Sequence, residues 1–212
     1  MLKSIIAFIL LIVIIGCNKN SATSITKNNE EKEFNEKIKT KAVEALKYCK
    51  EENFNTDFCI LIDMNIHSGK NRMFVYDFKK NEIERSSLCA HGSGKGNKKS
   101  TGSKPLFSNE EGSLLTSIGK FKIGARSYSQ FGINIHYKLH GLEKTNDNAF
   151  QRIVVLHSYT PVSSTEIYPI HLPMGFSHGC PVTDDDTMTY LDEKLKNTEK
   201  PVLLWIYYDD KS

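Results

Sequence analysis

Along residues 33–53 (EFNEKIKTKAVEALKYCKEEN) the apolar side chains fall at Phe34, Ile38, Ala42, Ala45, Leu46 and Cys49. That spacing is close to the helical repeat of about 3.6 residues and predicts an amphipathic helix. Beyond it the pattern changes to short runs rich in β-branched and aromatic residues: FCILIDM, RMFVYDF, EIERSSLCAHG, GKFKIGARSYS, INIHYKLHGLE and RIVVLHS. The first three are separated by NIHSGKN and KKN, which read as turns, so each run is predicted to be a strand. RIVVLHS is continuously apolar and suits a central strand, with NAFQ ahead of it open to a short helical turn. DDDTMTYLDEKLKN opens with three Asp residues, which favour a helix N-terminus, and PVLLWIYYDD predicts a closing strand. One leading helix, many strands, one late helix and a last strand predict a mainly β (α+β) fold. The expected form is a β-sandwich or partly open barrel with peripheral helices.

The first sixteen residues, MLKSIIAFILLIVIIG, carry one charge at Lys3 and then an apolar run from Ile5 to Ile15. That run is shorter than the roughly 20 residues a bilayer span needs and has the layout of an export signal. Its end, IIGC, is similar to the bacterial lipobox, in which the cysteine after the cut carries the lipid, so residues 1–16 are expected to be a lipoprotein signal and Cys17 the lipidation site. Residues 17–33 are polar apart from Ile25 and read as a flexible tether, leaving 34–212 as a single catalytic-sized domain. The formal charge of +3 falls to about +2 without Lys3, too weak to point to nucleic acid. The lysines of KGNKKSTGSK read as a solvated loop.

Five cysteines stand at 17, 49, 59, 89 and 180. In an oxidising compartment thiols tend to pair, and Cys49 and Cys59, at a helix end and a strand start, are open to a disulfide. Cys89 reads as a small buried residue. Cys180 is left over, and a leftover thiol in an exported chain suggests a reactive one. It lies in GFSHGCPVTDDD, two positions after His178. A thiol with a free pKa of about 8.5 needs a base to become a nucleophile at neutral pH. Two histidines qualify: His157, at the end of RIVVLH, and His178, which would share a face with Cys180 if the segment were extended. Gly179 would let a substrate approach the backbone, and the amides near Gly179 and Cys180 would face a developing oxyanion. His91 reads as a structural turn residue, His67 as solvated, His136 as half-buried, His140 as a turn residue and Asp184–Asp186 as a helix cap. A zinc set of His157, His171, His178 and Cys180 is the rival reading of the same residues.

LHS at Leu156–Ser158 followed by SHGC at Ser177–Cys180 resembles the L,D-transpeptidase catalytic domain (YkuD-like) family, and in particular its lipoprotein branch. LIDMNIHSGKNRMFVYDF, AHGSG, KPLFSNEEGSLLTSIGKF and YKLHGLEKTNDNAFQRIVVLHS extend the likeness over residues 58–185. The resemblance implies a cysteine acyltransferase acting on peptidoglycan stem peptides with no cofactor. Cys180 would be the nucleophile, His157 the base, Ser158 its orienting neighbour, and Ser177, His178 and Gly179 the pocket and oxyanion site. It implies attack between an L- and a D-centre, with an amine or water resolving the thioester; a non-catalytic wall-binding lipoprotein is the remaining alternative. Val182 stands where the wider family carries Arg or Asn, and YTPVSSTEIYPIHLPMGF is a longer insertion, expected to line the pocket. The implied setting is the bacterial envelope, held to a membrane by the lipid, with Asn18 favouring the outer membrane.

Overall fold

The computed structural model describes residues 19–209, and side chains from 32. The expected signal segment and Cys17 lie outside the described residues. The chain divides into two compact units, residues 1–37 and 38–212.

Helix α1 spans Lys19–Glu51, so it reaches back over most of the stretch expected to be a tether. That stretch holds Lys, Glu, Asn, Ser and Thr and no proline, and extending a helix already nucleated costs little per residue. Within the second unit, Ile38, Ala42, Ala45 and Cys49 of α1 are buried, the face predicted from their spacing.

The strands that follow are β1 (Phe58–Asp63), β2 (Met73–Asp77), β3 (Glu82–Ser87), a two-residue hairpin pair β4 (Gly94–Lys95) and β5 (Lys98–Lys99), β6 (Gly119–Tyr128), β7 (Ile135–Gly141), β8 (Val155–Ser158) and β9 (Val182–Thr183). Helix α2 (Asp185–Leu195) and β10 (Leu203–Tyr207) complete the chain. The small hairpin sits inside the lysine-rich loop. Among the described residues the main sheet has eight strands in the order β3-β2-β1-β10-β6-β7-β8-β9. β1–β10 and β8–β9 pair in parallel, and the other neighbours are antiparallel. The sheet is mixed and nearly closed, because Ala90, just past the end of β3, bridges Val182 of β9 in antiparallel fashion. The expected mainly β, barrel-like architecture with two helices is therefore what forms.

The main core gathers Phe58, Ile60, Ile62, Phe121, Leu139, Leu156, Met188, Leu191 and Leu204 between the sheet and α2. Helix α2 begins as its aspartates predict: Asp184 is the N-cap and its Oδ1 accepts from the Thr187 amide at 2.9 Å. Its far side is tied to the sheet by Asp192, which accepts from Arg126 Nε (2.7 Å) and the Tyr137 hydroxyl (2.7 Å). A smaller cluster of Leu88, Ala90, Val162, Leu172 and Val182 forms where the sheet closes, with Tyr159, Phe176 and Cys180 packed against it. Residues 149–153 make turns instead of a helix, which shortens the strand predicted from RIVVLHS to its last four residues.

Candidate active site

Strand β8 pairs with β7 on one side, His136 opposite His157, and with β9 on the other, His157 opposite Val182. The parallel register with β9 brings the residues just before Val182 alongside the start of β8. Cys180 arrives there, its Sγ accepting the Val155 amide at 3.4 Å and lying 3.9 Å from the Ile153 carbonyl. Cys180 and His157 line two cavities together. One, of about 430 Å³, is walled by Tyr128, Phe131, His136 and Ile153. The other, of about 290 Å³, is walled by Phe131, Tyr159, Phe176 and His178.

The buried His157 ring lies 2.9 Å through Nδ1 from the carbonyl oxygen of Ser158. A carbonyl only accepts, so in the neutral ring Nδ1 holds the proton and Nε2 is the free acceptor. Burial lowers the His157 pKa, the bond to Ser158 opposes that, and His136 adds to the lowering, so the ring is neutral at neutral pH. Ser158 thus touches the His157 ring by its carbonyl. Its hydroxyl is fully buried and accepts the Ile133 amide at 3.1 Å. No hydrogen bond joins His157 to Cys180; the two meet as walls of the same cavities.

The SHGC segment is bent where an extended run was expected. Gly179 has φ +119°, a left-handed value that side chains oppose. Ser177 staples the bend: its hydroxyl donates to the Cys180 carbonyl at 2.6 Å and accepts the Gly179 amide at 3.0 Å. Two sequence expectations change as a result. The Gly179 amide, expected to face an oxyanion, is engaged by Ser177, whereas among the described residues no hydrogen bond takes the Cys180 amide. His178 is exposed on the rim of the smaller cavity, away from the position on a shared strand face assigned to it as a second base. Behind the bend lies the AHGSG loop, where a Cβ on Gly92 would stand 2.9 Å from Gly179 Cα and 2.3 Å from the Leu114 carbonyl. His91 anchors that loop through buried Arg72 (2.8 Å) and the Thr101 carbonyl (3.1 Å).

Burial pushes the Cys180 pKa up, while the Val155 amide and the Arg152 guanidinium pull it back. The resting site thus pairs a neutral thiol with a neutral imidazole. Arg152 had no role assigned from the sequence, although it closes the NDNA..R stretch that carried part of the family likeness.

The remaining predicted ligands and thiols sit elsewhere. His171 stacks on His67 with ring centroids 3.6 Å apart and its Nδ1 lies 2.9 Å from the Ser68 hydroxyl. Among the described residues no group of three or more His, Cys, Asp or Glu side chains is placed to hold a metal. His67 is half-buried by this stack, where a solvated residue was expected, and His140 lies on β7 stacked on Phe150 at 4.7 Å, where a turn was expected. Cys49 and Cys59 are free and buried, and do not form the disulfide their positions left open. Burial raises Cys49 to about 12 and Cys89 to about 11, and raises Cys59 as well, keeping all three as inert packing thiols. Of the insertion 159–176, the two ends line the smaller cavity, through Tyr159, Gly175 and Phe176. The insertion is held down where the Ile167 and Tyr168 amides donate to the Gly69 carbonyl at 2.8 and 3.0 Å.

The model of the L,D-transpeptidase catalytic domain family matches residues 30–207. No curated protein matches the sequence. Solved structures with a similar backbone include the L,D-transpeptidase from Mycobacterium smegmatis, at 12% identity and TM-score 0.40 over 71% of this chain and 58% of that one. The helical cell shape determining protein Pgp2 from Campylobacter jejuni is 13% identical with TM-score 0.42 over 73% and 49%. Bd1075 from Bdellovibrio bacteriovorus is 16% identical with TM-score 0.43 over 73% and 49%. The chain spans about half to three-fifths of the length of the solved structures it matches.

A methyl group at Gly179 would stand 2.9 Å from the Leu115 carbonyl in a backbone state that L-residues resist. Gly179→Ala is expected to cost about 1–3 kcal/mol in urea denaturation. It should also slow alkylation of Cys180 in the folded fraction; unchanged stability and reactivity would mean that the bend is not required.

Proposed function

The chain belongs to the L,D-transpeptidase catalytic domain family, and on that premise we propose that it transfers the acyl group of peptidoglycan stem peptides through a thioester on Cys180, with His157 as base. The observation that carries this reading is that the free Nε2 of a neutral His157, oriented by the Ser158 carbonyl, and the Cys180 thiol line the same cavities. As the sulfur bonds to the carbonyl carbon between an L- and a D-centre, its proton passes to Nε2. The carbonyl electrons move to oxygen, which the unengaged Cys180 amide faces. Collapse breaks the C–N bond, and the leaving amine takes the proton from the imidazolium. An incoming amine then gives a proton to Nε2 and attacks the thioester, and the electrons returning to sulfur recover that proton.

Two cavities meeting at one thiol support transfer between two substrates, donor and acceptor each occupying one side. Both cavities share Phe131, whose ring lies 5.7 Å from His157 and 6.0 Å from Tyr159, an apolar divider that suits separate acyl and amine sites. Water reaching the thioester in place of the amine makes the same residues an L,D-carboxypeptidase. For location, the lipobox-like IIGC supports attachment of the chain to an envelope membrane through Cys17, facing the wall.

Mass spectrometry of products from purified disaccharide-tetrapeptide substrates tests the chemistry. Cys180→Ala is expected to abolish product while keeping the wild-type circular dichroism, and His157→Ala to lower kcat/KM by about 10²–10⁴. Because His157 must be neutral to act and its pKa is lowered, the acid limb of kcat/KM is expected below the ordinary histidine value of about 6.5. Full activity of Cys180→Ala would place the chemistry elsewhere, and trimmed tetrapeptide without cross-linked dimer would select the hydrolytic form. Cys17→Ala is expected to move the protein from the membrane fraction to the soluble fraction of cells; an unchanged distribution removes the lipid anchor.

A further inference from the structure

The residues just before β8 do more than lead into the strand. Arg152 reaches under the site and is gripped by the segment 108–117, which wraps behind the SHGC bend. Its Nη1 donates to the Ser108 carbonyl at 2.8 Å and to the Ser117 hydroxyl. Its Nη2 donates to the Leu115 carbonyl at 2.6 Å and to the Ser113 hydroxyl at 3.3 Å. All four acceptors are neutral. Among the described residues no carboxylate pairs with Arg152, and the nearby Glu110 is taken by Lys98 at 3.3 Å. A half-buried guanidinium without a carboxylate keeps its whole charge for whatever stands next to it. What stands next to it is the nucleophile's own peptide: Nη2 lies 3.4 Å from the point a Gly179 Cβ would occupy. Burial lowers the Arg152 pKa, and the charge of Cys180 opposes that.

The same side chain also holds a strained stretch in place. Ile153, the next residue, is β-branched yet has φ +56° and is 75% exposed. A left-handed β-branched residue costs energy and persists only where its surroundings fix it. This conformation aims the Ile153 carbonyl and the Val155 amide at the Cys180 sulfur. On the opposite wall, Leu114 has φ +58° and Gly112 φ +68°, and the Leu114 carbonyl accepts the Gly94 amide at 3.0 Å. The four bonds from Arg152 clamp these two irregular segments together across the base of the site.

We infer that Arg152 is a positioning residue of the acyl-transfer site: clamped by segment 108–117 behind the Gly179–Cys180 peptide, its guanidinium supplies the fixed positive charge against which the sulfur anion forms and leaves. The inference rests on Cys180 being the nucleophile. It assigns to segment 108–117 a function as well, because a shift there would move the charge relative to the sulfur. The other charged or titratable groups around the thiol, among the described residues, are His157 on β8, His136 on β7, His178 on the bend, and Tyr128 and Tyr159 on the cavity walls, with Lys95 near Gly112. None of these is tied to both walls.

The test is the pH dependence of iodoacetamide alkylation at Cys180 in the full-length protein, followed by peptide mass mapping so that Cys49, Cys59 and Cys89 are resolved from it. In Arg152→Gln the reactivity midpoint is expected to rise by about one pH unit or more, the lower end of the effect of losing a neighbouring opposite charge. Arg152→Lys, which keeps the charge and loses the fork, is expected to stay within about half a unit of wild type while its kcat falls through the loosened clamp. A midpoint in folded Arg152→Gln equal to wild type overturns the inference. So does a rise of about one unit or more in Arg152→Lys, which decides the matter even if the Gln variant fails to fold. Retained turnover in Cys180→Ala would instead overturn the nucleophile on which the inference rests, a result independent of the midpoints.

Discussion

The parallel pairing of β8 with β9 is the constraint on which the site depends. It sets His157 opposite Val182 and Ser158 opposite Thr183, and so brings an imidazole and a thiol that lie apart in sequence to the walls of the same cavities. The same Val182 closes the sheet by bridging Ala90, whose amide donates to the Val182 carbonyl at 2.7 Å. β9 is only two residues long, yet it is fully buried and held on both sides. Slipping that register by one residue would invert the face of the segment carrying Cys180. The small cluster of Leu88, Ala90, Val162, Leu172 and Val182 beneath the insertion gives the register its hydrophobic support.

Burial at this position works against charge on both reacting groups. It lowers the pKa of His157 and raises that of Cys180, so neither ionises at rest. A neutral thiol resists alkylation and oxidation better than a standing thiolate does. In the proposed reaction the sulfur bonds to the carbonyl carbon as Nε2 takes the proton, so no standing anion is needed. A fixed dipole and a fixed charge reduce the reorganisation that step requires. In the proposed reaction the unengaged Cys180 amide would be that dipole and the Arg152 guanidinium, beside Gly179, that charge.

Most of the fold could be read along the chain because its elements are local. Short β-branched runs mark β1, β2, β6, β7 and β10, and three aspartates mark the start of α2. The reading failed where long-range packing or backbone strain decides the outcome. RIVVLHS looks like one strand, yet Ile153 adopts a left-handed turn beside the sulfur and the strand begins at Val155. The H-x-C spacing suggests a shared face, but a glycine between the two residues permits the bend that turns His178 outward. Cys180, His157 and Ser158 stand out in the sequence by their chemistry and their motifs, and the fold brings Cys180 and His157 to the same cavities. Arg152 does not stand out: its acceptors, three of the four on Ser108, Leu115 and Ser117, are backbone or hydroxyl oxygens that leave no charge pattern in the sequence. Gly92 was hidden for a similar reason, since its importance is the closeness of Gly179 Cα and not any chemistry of its own.

The most direct measurement is acid-quenched intact-protein mass spectrometry during turnover of a tetrapeptide stem, with the modified peptide sequenced. A transient adduct equal to the stem peptide less its terminal D-amino acid, attached to Cys180 and discharged by an added amine, is the predicted result. Turnover with no adduct on Cys180, or with the adduct on another residue, would contradict the account.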